Sequence, residues 1–172
     1  MAGDYRTIPP EGQFDPFSCW AACLAWWLKA VKDGRPSWNQ AAILHEYTKY
    51  CDDDGGFPPE KILEVWPADS RLKISGGVFK TDKYRFARLP LGDLPVIVAF
   101  NYPDIGGTHM NVLFGLDGQM NARKLTAMEP YFPYPGINGK RTGRFEDRTC
   151  DFYIKDSPNI ILMWPTVVFP KS

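Results

Sequence analysis

The sequence predicts an α+β domain in which a helical first half packs on a mostly antiparallel sheet. Three observations carry this expectation. Apolar residues recur at helical spacing from Cys19 to about Lys32; after about residue 70 the pattern changes to short segments rich in β-formers, separated by Gly, Pro and Asn; and 172 residues with 44% hydrophobic content supply material for one core. No internal repeat and no Gly/Ser-rich linker divides the chain, so residues 1–172 read as a single domain, 1–70 helical and 71–172 sheet.

The first helix is set by Trp20, Cys23, Leu24, Trp27, Leu28 and Val31, with Asp33-Gly34 and Pro36 as stop signals; its wide apolar stripe suits a central, largely buried helix. Trp20, Trp26 and Trp27 are expected mainly in the core, with Trp20 also able to line a cleft beside Cys19. Ser37 followed by Gln40 fits a capping box for a second helix running to about Tyr50, and Pro58-Pro59-Glu60 opens a short third helix ending near Trp66-Pro67. The segment from Cys51 to Gly56 reads as a loop. Strands are expected over Leu72–Ile74, Pro95–Asn101, His109–Leu116, Lys124–Met128, Asp151–Ile154 and Ile160–Met163. The run from Tyr131 to Gly136, aromatic and Pro-rich, is expected as a loop that covers the core or rims a cleft, and the charged run from Lys140 to Arg148 as a solvated turn.

Composition excludes several classes of function. Twenty Lys plus Arg balance twenty Asp plus Glu, so no global positive field draws the chain to nucleic acid or to an anionic membrane. No apolar run approaches the roughly 18 residues of a membrane span, and Met1 to Pro10 lacks a secretory signal pattern. Four cysteines, at 19, 23, 51 and 150, are few for a disulfide scaffold, so reduced thiols are expected, with a Cys51 to Cys150 bridge left open. Neither CxxC nor HxxxH spacing occurs, which argues against a zinc site; no metal and no organic cofactor is expected.

Chemistry concentrates at the start of the first helix. Cys19 stands in its first turn, behind an irregular segment from Gln13 to Ser18, where unpaired backbone N–H groups and the helix dipole favour a thiolate and bind an oxyanion. The alternative is a small buried apolar cysteine. A thiolate nucleophile needs an imidazole, and the chain has only His45 and His109. His45 lies mid-helix and reads as structural or surface. His109 follows Gly106-Gly107-Thr108 at the mouth of a strand, where the glycines let the loop approach a substrate and the strand fixes the ring.

Gln13, six residues before Cys19, and the run Cys19-Trp20-Ala21-Ala22 resemble the active-site segment of papain-like cysteine proteases, the bacterial C39-like and AvrRpt2-like branches more than plant papain. The strand from Pro95 to Asn101 followed by Gly107-Thr108-His109 is similar to the family's histidine block, and Leu125 to Pro130 to its third block. The resemblance, spanning residues 13 to 130, implies a papain-like fold. It makes Cys19 the nucleophile, His109 its general base and then acid, and Glu129 the residue that orients His109, where the family usually has Asn or Asp. Asn111, Asp117 and Asn121 are the alternatives to Glu129. Gln13 and the Cys19 backbone N–H would form the oxyanion hole, and Trp20, Gly107 and Thr108 would line the substrate cleft.

The function this implies is a cysteine endopeptidase acting on a protein substrate through a thioester acyl-enzyme. A peptidoglycan amidase, another thioester-forming acyl transferase or deamidase, and a non-catalytic binding module stay open. The resemblance also implies a bacterial effector or toxin domain, made in the cytoplasm, exported or injected, and active in the cytoplasm of a target cell. It would be held in check by a cognate inhibitor or immunity protein, and would be monomeric when unbound. The chain could equally be the catalytic piece of a longer polypeptide.

Overall fold

The computed structural model describes residues 5–81, 95–104, 106–117, 124–137 and 140–166. After a short 3-10 turn at Tyr5–Thr7 come three helices, α1 (Cys19–Val31), α2 (Gln40–Tyr47) and α3 (Pro59–Ala68). The strands follow: β1 (Ile74–Lys80), β2 (Val96–Asn101), β3 (Thr108–Asp117), β4 (Lys124–Ile137) and β5 (Lys140–Thr149), then helix α4 (Cys150–Ile154) and strand β6 (Asn159–Pro165). They form one six-stranded sheet in the order β1-β6-β2-β3-β4-β5, with every neighbouring pair antiparallel.

Helix α1 explains why the layers hold together. Every residue from Cys19 to Leu28 is buried, so the helix is covered by the sheet on one side and by α2 on another. Its tryptophans do what the spacing predicts. Trp26 packs against Phe114 of β3 at 5.1 Å between ring centres, and Trp20 meets Phe57 edge-on at 5.2 Å. Their polar edges are satisfied rather than stranded: Trp27 Nε1 donates to the Pro95 carbonyl at 2.9 Å and Trp20 Nε1 to the Gly55 carbonyl at 3.3 Å. The second bond ties the loop after Cys51 to the start of α1. A second apolar cluster, including Val98, Phe100, Leu113, Leu125 and Leu162, packs with Tyr153 of α4.

The N-terminal segment runs along α1 and over β4 and β5, on the face of the sheet that α1 covers. Gln13 N–H donates to the Pro130 carbonyl at 2.9 Å, and a Cβ on Gly143 of β5 would stand 2.4 Å from the Glu11 carbonyl oxygen. Only glycine allows that approach.

Several sequence expectations are corrected. Asn39, not Ser37, caps α2, its Oδ1 accepting from Ala42 N–H at 2.9 Å, because the helix starts later than the box suggested; a 3-10 turn over Thr48–Tyr50 carries it on to the expected end. The Pro-rich run after Glu129 is not a loop: β4 continues to Ile137 and pairs with β5 as a long hairpin. The register shifts between Glu129 and Phe132 and again between Phe132 and Ile137, which relieves the ladder where proline has no N–H to donate. The charged run Lys140 to Arg148 is the partner strand β5 rather than a solvated turn. Asp151–Ile154 belongs to a short helix, not a strand, since Tyr153 is pulled into the second core from outside the sheet. The first expected strand begins at Ile74 and runs on through Gly76, whose missing Cβ lets Met163 and Leu63 pack within 3 Å of where it would be.

Candidate active site

The site forms where the start of α1 meets the start of β3 and the middle of β4. Cys19 is the first residue of α1 and is buried at its edge, with 9% of its surface exposed. Ser18, the residue before it, does not cap the helix with its side chain; its hydroxyl is turned back to Asp15. The first-turn amides therefore have no side-chain cap, as the sequence reading of an oxyanion site requires.

His109 enters β3 after Gly106 and Gly107, both at positive φ (83° and 81°), a turn that glycine adopts without strain. Its ring is buried and lodged among Phe100, Tyr102 and Tyr131, at centre distances of 5.9, 5.4 and 6.2 Å. Nε2 lies 2.5 Å from Glu129 Oε2, and the Cys19 side chain is a hydrogen-bonding neighbour of the ring. Burial alone would lower the imidazole pKa. The Glu129 carboxylate, assisted by Cys19, outweighs it and raises the ring to about 10.

Glu129, 1% exposed, is anchored at both oxygens. Oε2 also accepts from Tyr131 N–H at 3.2 Å, and Oε1 accepts from Arg148 Nη1 at 2.9 Å. Burial pushes this carboxyl up, but His109 and Arg148 pull it further down, so it ends below its ordinary range. The extra methylene of Glu over Asp or Asn is absorbed by the geometry: the side chain reaches His109 on one side and Arg148 on the other.

Arg148 is the member that sequence reasoning missed. Its side chain is 10% exposed, and the guanidinium also donates to Asn111 Oδ1 at 2.5 Å and lies 4.1 Å over the Phe152 ring. Nothing in the run Lys140 to Arg148 singles Arg148 out, because charges recur along it as they do on a surface. Asn111, considered as a replacement for Glu129, supports the network instead: its Oδ1 takes the Arg148 bond and one from Tyr153 O–H at 3.0 Å. Asp117 is at the opposite end of β3, paired with Lys124, and Asn121 lies outside the described residues. His45 sits on α2, exposed.

Gln13 is buried against the strand that carries Glu129; its Nε2 donates to the Asp15 carbonyl at 2.7 Å and its Oε1 has no hydrogen-bond partner. A cleft of about 380 Å³ opens on Cys19, lined among others by Phe17, Trp20, Phe57 and Thr108. Gly107 precedes Thr108 and is exposed. Asp52, Asp54 and Glu60 also line this cleft, and among the described residues no Lys or Arg does. Cys23, one turn into α1, is fully buried, and burial together with Cys19 and Glu129 pushes its thiol pKa well up, so it is not a second nucleophile. None of the four cysteines is disulfide-bonded.

Among solved structures, the chain is similar to the peptidase domain of Streptococcus ComA, a bi-functional ABC transporter involved in a quorum sensing pathway, with a TM-score of 0.58 and 18% identity over 92% of this chain and 98% of that one. The two share a fold. No family model matches the sequence, and no curated protein matches it. At this identity the likeness to the ComA domain carries the α+β architecture, while the chemistry rests on the side chains described above.

Proposed function

We propose that the chain is a cysteine peptidase that cleaves a peptide bond in a protein substrate. The observation that carries this reading is His109 held between the Cys19 side chain and the buried Glu129 carboxylate. The shared fold with a peptidase domain favours peptide-bond cleavage over the other thioester chemistries that the same residues allow.

In this mechanism the Cys19 proton resides on His109, which its raised pKa favours, and the sulfur attacks the scissile carbonyl. The carbonyl oxygen becomes an oxyanion, stabilised by the Cys19 backbone N–H and the Gln13 side-chain amide. Collapse breaks the C–N bond, and His109 gives its proton to the leaving amine, producing a thioester. Water then attacks the thioester while His109 takes its proton. A second tetrahedral intermediate releases the acid, and the proton returns with the sulfur to the resting pair. Glu129 stays ionised throughout and holds the ring.

The cleft supports a statement about substrate. With Asp52, Asp54 and Glu60 on the lining, peptides with a Lys or Arg near the scissile bond should be cleaved faster than the same peptides carrying Glu, with the advantage shrinking at high salt. The effector or toxin setting, an inhibitor partner and a monomeric resting state extend the reading and rest on the sequence resemblance.

The test compares the unaltered protein with Cys19→Ala on a proteome and on purified peptidoglycan. New protein N-termini that vanish in the variant are expected. Fragments from wall material alone would replace this reading by the amidase, and no cleavage together with ordinary alkylation of Cys19 at pH 6 would replace it by a binding module. Arrested growth on expression of the unaltered protein, relieved by Cys19→Ala, is the result expected of a toxin; unimpaired growth would remove that extension.

A further inference from the structure

We propose that Arg148 is a positioning residue of the site, holding Glu129 behind His109 and balancing its charge so that the buried cluster is neutral as a whole. The inference rests on the peptidase reading of Cys19 and His109 and deepens it.

The cluster contains alternating charges. Arg148 bonds Glu129 Oε1 at 2.9 Å, and Glu129 Oε2 meets His109 Nε2 at 2.5 Å, with the Cys19 side chain neighbouring the ring. With the proton on the ring the sequence is guanidinium, carboxylate, imidazolium, thiolate, which sums to zero. Without Arg148 the same buried groups sum to one negative charge, an unfavourable state where water is excluded.

The guanidinium is fixed from several elements rather than resting on the surface. Asn111 of β3 accepts from Nη1 at 2.5 Å, Tyr102 O–H accepts from Nη2 at 3.4 Å, and Phe152 of α4 lies beneath it at 4.1 Å. Asn111 is held in turn by Tyr153 O–H and by its own Nδ2 donating to the Met110 carbonyl. A planar fork with this many partners fixes where Glu129 Oε1 lies, which a flexible ammonium does less well. The titratable groups facing the carboxylate and its partners are His109 from β3, Tyr131 from β4, Cys19 and Cys23 from α1, Tyr102 beyond β2 and Tyr153 from α4.

Removing one positive charge raises the proton affinity of every titrating member, so the direction is fixed without assigning each proton to one atom. The acid limb of Cys19 reactivity, where proton uptake breaks the ring–sulfur pair, and the base limb, where the ring loses its proton, should both move to higher pH. Arg148→Met removes charge and hydrogen bonds, Arg148→Gln removes charge while keeping a donor, and Arg148→Lys keeps the charge.

The experiment measures the rate of iodoacetamide alkylation at Cys19 against pH, resolved by mass spectrometry from Cys51 and Cys150. In the Met and Gln variants both limbs should rise by about one pH unit, and the Lys variant should keep both limbs in place at a lower plateau rate. Unmoved limbs in a folded neutral variant, or a Lys variant displaced as far as Met, overturn the proposal. On the unaltered protein, NMR should show separately resolved, slowly rotating Arg148 Nη–H signals that merge in Glu129→Gln. A freely rotating Arg148 overturns it even if the neutral variants do not fold. Failure of the peptidase reading looks different: Cys19 of the unaltered protein would then alkylate like a free thiol, with no change in His109→Ala.

Discussion

Two clusters in this molecule are built from the same three groups, a carboxylate, an arginine and a tyrosine, and they do different things. In the helical half, Tyr47 O–H donates to Asp69 Oδ2 at 2.6 Å, and Arg71 bonds both oxygens of Asp69 and reaches Glu46. In the sheet half, Arg148 joins Glu129 and, through Asn111, Tyr153. The Arg71 side chain is about half exposed, whereas the side chains of Arg148 and Glu129 are 10% and 2% exposed. Water screens the first cluster, and ions rearrange around it at small cost. The second has no such recourse, so each charge there must be matched, and an imidazole inserted into the chain takes up its field. The difference teaches that burial, more than residue type, separates a structural ion pair from chemical machinery.

The largest effect that would break this contrast is at the sulfur. Cys19→Ala and His109→Ala are each expected to lower kcat/KM by roughly a thousandfold or more with unchanged circular dichroism. An active folded variant would leave the buried cluster with no privileged role. Next comes Glu129→Gln, which keeps the shape but leaves the Arg148 charge buried without its partner. About 3 kcal/mol of stability should be lost, read as a fall in the urea midpoint, because breaking a buried pair costs more than the pair contributes. A loss below 1 kcal/mol would place Arg148 closer to solvent than its contacts imply.

The two clusters also predict opposite pH behaviour. Against the burial that lowers it, His109 is raised by Glu129 and Cys19 to about 10 from 6.5, so its contribution to stability is complete below about pH 6.5 and is lost as pH rises through about 10. Asp69 is lowered, chiefly by the Arg71 hydrogen bonds, to about 2 from 3.8, so its contribution is present above about pH 4 and is lost as pH falls through about 2. Thermal melts across pH should therefore show an alkaline loss that disappears in His109→Ala and an acid loss that shrinks in Asp69→Asn. The smallest expected effect is Asp69→Asn at neutral pH, at most about 1 kcal/mol, reduced further by 0.5 M salt and without consequence for alkylation of Cys19.

Much of this arrangement was legible in the residues. The helical spacing from Cys19 onward determined α1 to within a residue of its end, and the glycines before His109 marked the turn that presents the ring. With two histidines in the chain, the partner of Cys19 followed almost by elimination. The sheet half was harder for physical reasons. Proline punctuates a sequence as though ending a strand, yet β4 continues past Pro130 because its ladder shifts register there. Arg148 lies in a stretch where charged residues point alternately outward and inward, and a charge pattern does not reveal which of them find a buried carboxylate. That pairing depends on β5 folding back along β4, a contact set by the hairpin rather than by any local motif.

The glycine at 143 has a consequence for the order in which the protein becomes active. The strap that carries Gln13 is pressed against β5 and bonded to Pro130, so its resting place exists only after the hairpin has formed. On a ribosome, Cys19 emerges early while the strap's shelf, the Glu129 carboxylate and Arg148 are still unmade. A nascent chain would therefore display Cys19 for some time without the surroundings that make it reactive, and competence would arrive in a single late step as the last strands close.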